Sequence, residues 1–309
     1  MSAVNDRIKR IPPRIINIKR ITFFDISPPL HIDVPIHNLS CYKPAYLSIT
    51  ILITILPCYF RLKDRNYALH ILVLISRMQK GLISQFRTLG NEMDSMKITI
   101  VFDNTPPVVN GLIADWGFAA LVEVDGGKKI LFDTGANGEI LLSNMAILGI
   151  DPSTIDEVFI SHAHHDHVGG LQLFLQKNNA VKLWVPPSMH MIRNAKDISV
   201  VHGPVEMQKG IYSTGELDGI EQAMVVETSK GLVLLVGCSH PQMKTILGTA
   251  SQFGTVYGIV GGLHSTNPLD LKGLGLICAT HCTRQKSRIK ALYPQAYIPG
   301  GAGRVIEVD

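Results

Sequence analysis

The chain has 309 residues, 46% hydrophobic and 17% charged, a balance that suits one large or two small globular domains and excludes a disordered polyelectrolyte. Its net charge of +4 is unevenly spread: residues 1–95 carry 13 Lys/Arg against 6 Asp/Glu, and residues 96–309 carry 16 against 19. Five cysteines without regular spacing exclude a disulfide framework and point to a reduced, cytoplasmic setting.

The first 95 residues are rich in Ile, Pro, Arg and Lys, and Pro12, Pro13, Pro28, Pro29, Pro35, Pro44 and Pro57 cut each candidate element short. No sustained helical or strand period precedes Ala45. Residues 45–60 form an uncharged apolar run of 16, with Pro57 near its end, short of the roughly 20 that span a bilayer. No small residues follow it, as they would after a signal peptide. No membrane association is expected unless residues 45–60 are a native anchor. The basic charge of this segment lacks the interleaved aromatics of a nucleic-acid clamp, so no nucleic acid is expected. Residues 96–101 read as a natural protein start leading straight into a strand. The expectation is a non-globular extension over 1–95, disordered or upstream of the native start, and a catalytic domain over 96–309. A membrane-tethering leader is the alternative for the first segment.

From Met96 the periodicity sharpens. Residues 98–102 are β-branched and run into a turn at 103–107. Residues 119–124 and 128–132 make a hairpin around Asp125, Gly126 and Gly127, and its second strand ends at Asp133. Ile140, Leu141, Met145 and Leu148 lie at helical spacing, with Gly149 as the stop. Strands follow at 156–160 and 181–185, a helix begins at Leu171, and 223–228 pairs with 232–236 as a second hairpin. Strands at 256–260 and 276–280 and a helix at 283–292 complete a layered α/β domain.

The strand at 156–160 delivers His162-Ala163-His164-His165-Asp166-His167, followed by Val168, Gly169 and Gly170. Four histidines and a carboxylate in six positions on a strand edge suit one or two divalent cations, zinc first, with iron or manganese as alternatives. A solvated polar loop is the bland reading, and it rarely sets His-x-His ahead of Asp-His. The same architecture, an apolar run ending in histidine, recurs at His240, His264 and His281. Cys238 belongs to the apolar approach and reads as core. His190 and His202 sit in loop contexts and read as surface histidines.

His162-Ala163-His164-His165-Asp166-His167 matches the His-x-His-x-Asp-His signature of the metallo-β-lactamase superfamily, and the resemblance covers residues 96–309. It implies an αββα four-layer sandwich. It implies an aspartate, here Asp133, behind the ligands to orient them. His240 resembles the third motif, completing one ligand set with His162 and His164. His281 resembles the last histidine, completing a second with Asp166 and His167. Gly-Cys-Ser-His at 237–240, Gly-Gly-Leu-His at 261–264 and His-Cys-Thr at 281–283 resemble a narrower branch that includes enzymes joining a dihydropterin to ribofuranosyl-aminobenzene phosphate. One departure stands out. Most dinuclear members place an aspartate between the third and last histidine motifs to bridge both ions, and here the only acid between His240 and His281 is Asp270, inside a helix expected after Asn267 and Pro268. Either His264 substitutes, or the second ion binds weakly, or one ion suffices.

The resemblance implies a metal-dependent hydrolase of a small, anionic, phosphorylated or ester-like substrate, with Asp166 steering water and His264 serving catalysis. A pterin-linking transferase is the first alternative and a non-catalytic metal-binding protein the second; a homo-oligomer is compatible with any of them. Thr105, His264, Thr283 and Arg284 are secondary candidates for gripping an anion. Arg284, Lys286 and Arg288 read equally as the solvated face of a helix.

Overall fold

The computed structural model describes residues 18–23, 30–35, 95–190, 192 and 194–308. The chain divides into two units, residues 1–87 and 88–309. In the first, β1 (Ile18–Phe23) and β2 (Leu30–Pro35) pair antiparallel, with Ile18 opposite Pro35 and Phe23 opposite Leu30. This hairpin corrects the expectation of no strand before Ala45. Ile18, Ile21, Thr22, Ile32 and Val34 are β-branched, and Pro28 and Pro29 lie between the strands rather than within them. The apolar run 45–60 lies outside the described residues. Among the described residues no helix is long and apolar enough to cross a membrane.

The second unit is built on two sheets. One contains β3 (Met96–Asp103), β4 (Phe118–Val124), β5 (Ile130–Phe132), β6 (Glu157–Phe159), β7 (Lys182–Val185) and β8 (Asp197–Val200), side by side in that order. The other contains β9 (Val205–Gln208), β10 (Ile211–Ser213), β11 (Met224–Thr228), β12 (Gly231–Val236), β13 (Val256–Gly262) and β14 (Leu276–Thr280), also in chain order. The last strand, β15 (Val305–Val308), returns to the first sheet and pairs antiparallel with β3.

The sheets face each other across a core of Ile98, Phe118, Phe132 and Phe159 from the first and Val226, Leu235 and Val260 from the second. Helices cover both outer faces. On the first sheet, α1 (Gly138–Ile147) and α3 (Leu171–Lys177) bring Leu141, Met145 and Phe174 against Val101, Leu131 and Val158. On the second, α4 (Met243–Ala250) and α5 (Lys286–Leu292) bring Ile246 and Ile289 against Leu234, Ile259 and Ile277. Burial on both faces explains why the central strands read as continuous apolar runs. This is the expected αββα four-layer sandwich.

Within this unit four described strands escaped the sequence reading: β8, β9, β10 and β15. The first two are largely exposed and β15 alternates exposed with buried, so none carries a long apolar run. The segment after Asn267, expected to be helical, is a single 3-10 turn (Pro268–Leu271), and Asp270 there faces Lys244 at 3.9 Å.

What positions the site is strand direction. β5 and β6 run parallel, as do β12, β13 and β14. The loops leaving their C-terminal ends carry Asp133, His162, Cys238, His264 and His281.

Candidate metal centre

On the first sheet, the chain leaves β6 through Ser161 and His162 and enters the four-residue α2 (His165–Val168). The entry is tight. A Cβ on Gly170 would strike the Thr134 carbonyl, and one on Gly237 would strike the Ser161 side chain, so these loops close only with glycine at both places. Thr134 N and Oγ1 both donate to the His167 carbonyl, at 2.8 and 2.9 Å, which fixes the end of α2 against the loop after β5.

Asp133 is wholly buried. Its Oδ1 accepts from Ser161 N, and its Oδ2 accepts from Ser161 Oγ and from His167 Nδ1, each at 2.7 Å. Ser161 Oγ, having donated its proton to the carboxylate, accepts from His162 Nδ1 at 2.9 Å. One carboxylate therefore fixes the tautomer of two imidazoles and leaves both Nε2 lone pairs free. His281 is held likewise by Asn104 Oδ1, 2.8 Å from its Nδ1.

The freed nitrogens converge. His162 Nε2 lies 3.0 Å from His164 Nδ1, and the His240 ring stands 4.8 Å from each of those two rings. His167 Nε2 lies 3.6 Å from Asp166 Oδ2, which is 3.2 Å from His281 Nε2. The six side chains expected as ligands are thus gathered as His162, His164 and His240 beside Asp166, His167 and His281. Cys238 stands with both groups: its Sγ is within 4.8 Å of the donor atoms of Asp166, His167 and His281, and equally of those of His162 and His240. It is buried as a core residue would be, but its sulfur is turned into the site.

A cation fits this arrangement. Nε2 of His240 is buried without a hydrogen-bond partner, and buried Nε2 of His281 has none of good geometry, only Asp166 Oδ2 at 3.2 Å, a costly state for neutral imidazoles that a metal relieves. Burial is the main cause holding His162 and His281 below the ordinary imidazole range and His240 down at about 4, so these rings stay neutral and able to ligate at pH 7. His167 goes the other way: burial lowers it, but the charge and hydrogen bond of Asp133, together with the charges of Asp166 and Glu221, raise it on balance. Burial works against the charge of Asp166, but the 3.2 Å contact with His281 and the charge of His167 outweigh it and hold the carboxyl below its usual range. A hydrogen bond with Cys282, and then burial, hold the Cys238 thiol above its usual range.

The loop after β12 is clamped by Glu221. This buried carboxylate accepts from Gly237 N, Cys238 N and Ser239 N through Oε1 and from His240 N through Oε2, at 2.8–3.1 Å. Burial raises its carboxyl against the pull of those amides. Its neighbour Gln222 donates to the Ile160 carbonyl at 2.8 Å, tying the second sheet to the strand that delivers the first ligands. Asp133, Ser239, His264 and His281 all have positive φ, between 33° and 57°, and of the six non-glycine residues so twisted among the described residues these four stand at the site. Such backbone persists only where surrounding contacts enforce it.

Among the other expected residues, His264 stands on the rim, its ring 5.2 Å from that of His240. His165, His190 and His202 are exposed and join neither donor group. Thr283 is buried and secures the loop, its hydroxyl accepting from Leu263 N and donating to the Thr280 carbonyl; it does not face an anion site. Arg284 and Arg288 are exposed, whereas Lys286 Nζ reaches Thr105 Oγ1 at 2.9 Å. The sequence reading missed Glu221, Gln222, Asn104 and Trp116. Trp116, 55% exposed, sets its ring 5.2 Å from that of His281. An exposed tryptophan in a loop next to a candidate turn was the one signal that could have found it.

Comparison with known proteins agrees with this fold. Residues 117–250 match the metallo-beta-lactamase superfamily model. The chain is similar to 7,8-dihydropterin-6-methyl-4-(beta-D-ribofuranosyl)-aminobenzene-5'-phosphate synthase of Methanocaldococcus jannaschii, 26% identical over 265 residues that cover 63% of this chain and 90% of the relative. An uncharacterized protein of the same organism is 24% identical over 260 residues, covering 68% of this chain and 100% of the relative. Among solved structures it is similar to a metal-dependent hydrolase of the beta-lactamase superfamily, with TM-score 0.54, 25% identity and coverage of 69% of this chain and 99% of that one. The metallo-beta-lactamase fold protein YhfI from Bacillus subtilis, at TM-score 0.51, 18% identity and the same coverage, shares the fold.

Proposed function

This chain belongs to the metallo-β-lactamase superfamily, and from that premise we propose that it is a metal-dependent hydrolase of a small, anionic, phosphorylated or ester-like substrate. The observation that carries the reading is the pair of donor groups facing each other from the strand ends of two sheets, with exposed His164 and half-buried Asp166 on the open side. In this reading the activity resides in residues 96–309 and the extension 1–95 contributes none of it. His162, His164 and His240 hold one divalent ion, and Asp166, His167 and His281 a second. Such nitrogen-rich sets suit zinc first and iron or manganese next. Bound there, divalent ions lower the pKa of water and polarise a carbonyl or phosphoryl oxygen.

The chain's own groups do the rest. Asp133 keeps the two imidazoles of the first loop turned inward. Asp166, kept ionised by His281 and His167, accepts a proton and orients water on the open side. His264, on the rim beside His240, is placed to pass a proton to a leaving group. Lys286, bonded to Thr105 directly after Asn104 in the chain, is the cation we assign to an anionic substrate group. The thiols Cys238, Cys278 and Cys282 are unpaired, in keeping with a reduced, cytoplasmic setting.

The test is a screen of the zinc-loaded full chain on phosphodiesters, phosphomonoesters and lactones. One class is expected to turn over, with a loss of at least about 100-fold in His164→Ala. Stoichiometric metal without turnover of any class would leave a non-catalytic metal-binding protein.

A pterin-linking transferase is the second reading. It is favoured by the similarity to the Methanocaldococcus jannaschii synthase over 90% of that protein's length. Trp116 also favours it, because its exposed indole beside His281 offers a face to a planar ring. Product formed only when a pterin and an arylamine are both supplied would decide for this reading, and Trp116→Ala would then raise KM more than it lowers kcat.

A further inference from the structure

We propose that the Cys238 thiolate is the shared ligand of the two metal positions, standing where the missing acid would otherwise join them. The proposal rests on the metal reading above and goes beyond it by adding a donor that neither ligand set contains.

Three observations lead to it. First, Cys238 Sγ is the one donor atom close to both sets, within 4.8 Å of the donor atoms of Asp166, His167 and His281 and of those of His162 and His240, and only 3.3 Å from His167 Nε2. An atom that belongs to both sets is placed as a bridge, and none of the histidines meets that condition. Second, no described acid competes for the position. Between His240 and His281 the only carboxylate is Asp270, which faces Lys244. His264, the substitute the sequence suggested, is in neither group. Without another anion, two divalent ions would share the single negative charge of Asp166, because Asp133 is already taken up by Ser161 and His167.

Third, the sulfur is held in place by backbone. Glu221 takes the amides of residues 237–240, and Ser239, at φ 57°, donates its hydroxyl to the Gly262 carbonyl at 2.8 Å. Cys238 therefore points inward because of its turn rather than because of its own packing. The cluster also has an independent mark of a ligand. His281, 2% exposed, turns an Nε2 into it that lacks a hydrogen bond of good geometry, although Asp166 Oδ2 is 3.2 Å away. A coordinating thiol binds as the thiolate, its proton leaving to solvent as the metal enters. A soft sulfur donor tilts the site toward zinc or iron and away from manganese.

X-ray absorption at the zinc edge of the fully loaded full chain tests this directly. A sulfur bound to both ions gives about one sulfur per zinc at about 2.3 Å. Cys238→Ser should lose that shell and weaken zinc binding beyond the ~10–100-fold that removal of an outer partner costs. Cys282→Ser should keep the shell. Two zinc ions with no sulfur, or with about half a sulfur per zinc, would overturn the bridge while leaving the metal reading intact. Persistence of the shell in Cys238→Ser, with its loss in Cys282→Ser, would overturn the assignment to Cys238. Failure to bind zinc at all would overturn the metal reading itself.

Discussion

The two halves of the centre are made in opposite ways. On the first sheet, four of the side chains come from one run, His162 to His167, and a single buried acid, Asp133, orients two of them, His162 through Ser161 and His167 directly. On the second, Cys238, His240, His264 and His281 leave the ends of three different strands, and what places the first two is a carboxylate gripping main chain. The first half is held through its side chains and the second through its backbone. Damage should follow that division: a second-sheet lesion should cost fold stability, and a first-sheet lesion should cost metal affinity.

Glu221→Ala is the most severe break of the second half. It leaves four amide N–H groups, at residues 237 to 240, without their acceptor. At about 1–3 kcal/mol for each buried donor left unpaired, partly relieved by entering water, the loss is expected to be about 3 kcal/mol or more. Urea unfolding of the metal-free protein measures it. Glu221→Gln, which keeps one carbonyl oxygen for the three amides on Oε1, should lose less. Equal stability of Glu221→Ala and the parent would remove the clamp from the account.

Asp133→Asn breaks the first half. The amide keeps one acceptor for Ser161 but cannot accept from Ser161 N, Ser161 Oγ and His167 Nδ1 together. Zinc affinity should fall by about 10–100-fold, as when an outer-sphere carboxylate is lost, and competition with a chromophoric chelator would read the change. If affinity held while stability dropped as far as in Glu221→Ala, the contrast between the halves would fail.

The same division explains what could be read from the sequence. The first loop is legible because its ligands are neighbours in the chain, and Asp133 is legible because it directly follows a strand. The apolar runs of β3 to β7 and β11 to β14 were equally visible, since burial on both faces forces them. The second half was only partly legible. His240 and His281 announced themselves as histidines after apolar strands. Cys238 did not, because a cysteine among valines and leucines has the composition of core whichever way its sulfur turns. Glu221 was invisible for a related reason: it contacts main chain 16 to 19 residues away, and amide donors leave no trace in residue type. β8, β9 and β15 were missed because exposed strands lack the run that marks a buried one.

A smaller effect separates the halves by pH in the metal-free protein. His162 of the first half and His240 and His281 of the second are held below the ordinary imidazole value of 6.5, His240 at about 4. The unfolded chain therefore binds more protons than the native one as pH falls from 6.5 toward 4, and stability declines through that window. His167 has the opposite sign, because Asp133 raises it above 6.5. Its contribution is fully present below 6.5 and is lost as pH rises through its native value. The stripped protein should accordingly be most stable near pH 6.5 and weaken on both sides, as urea midpoints at about pH 5, 6.5 and 8.5 would report. In Asp133→Asn the alkaline decline should vanish and the acid decline should stay, since only His167 owes its shift to that carboxylate. Loss of both declines together would mean that the two halves titrate as one unit, and that the boundary drawn between them is wrong.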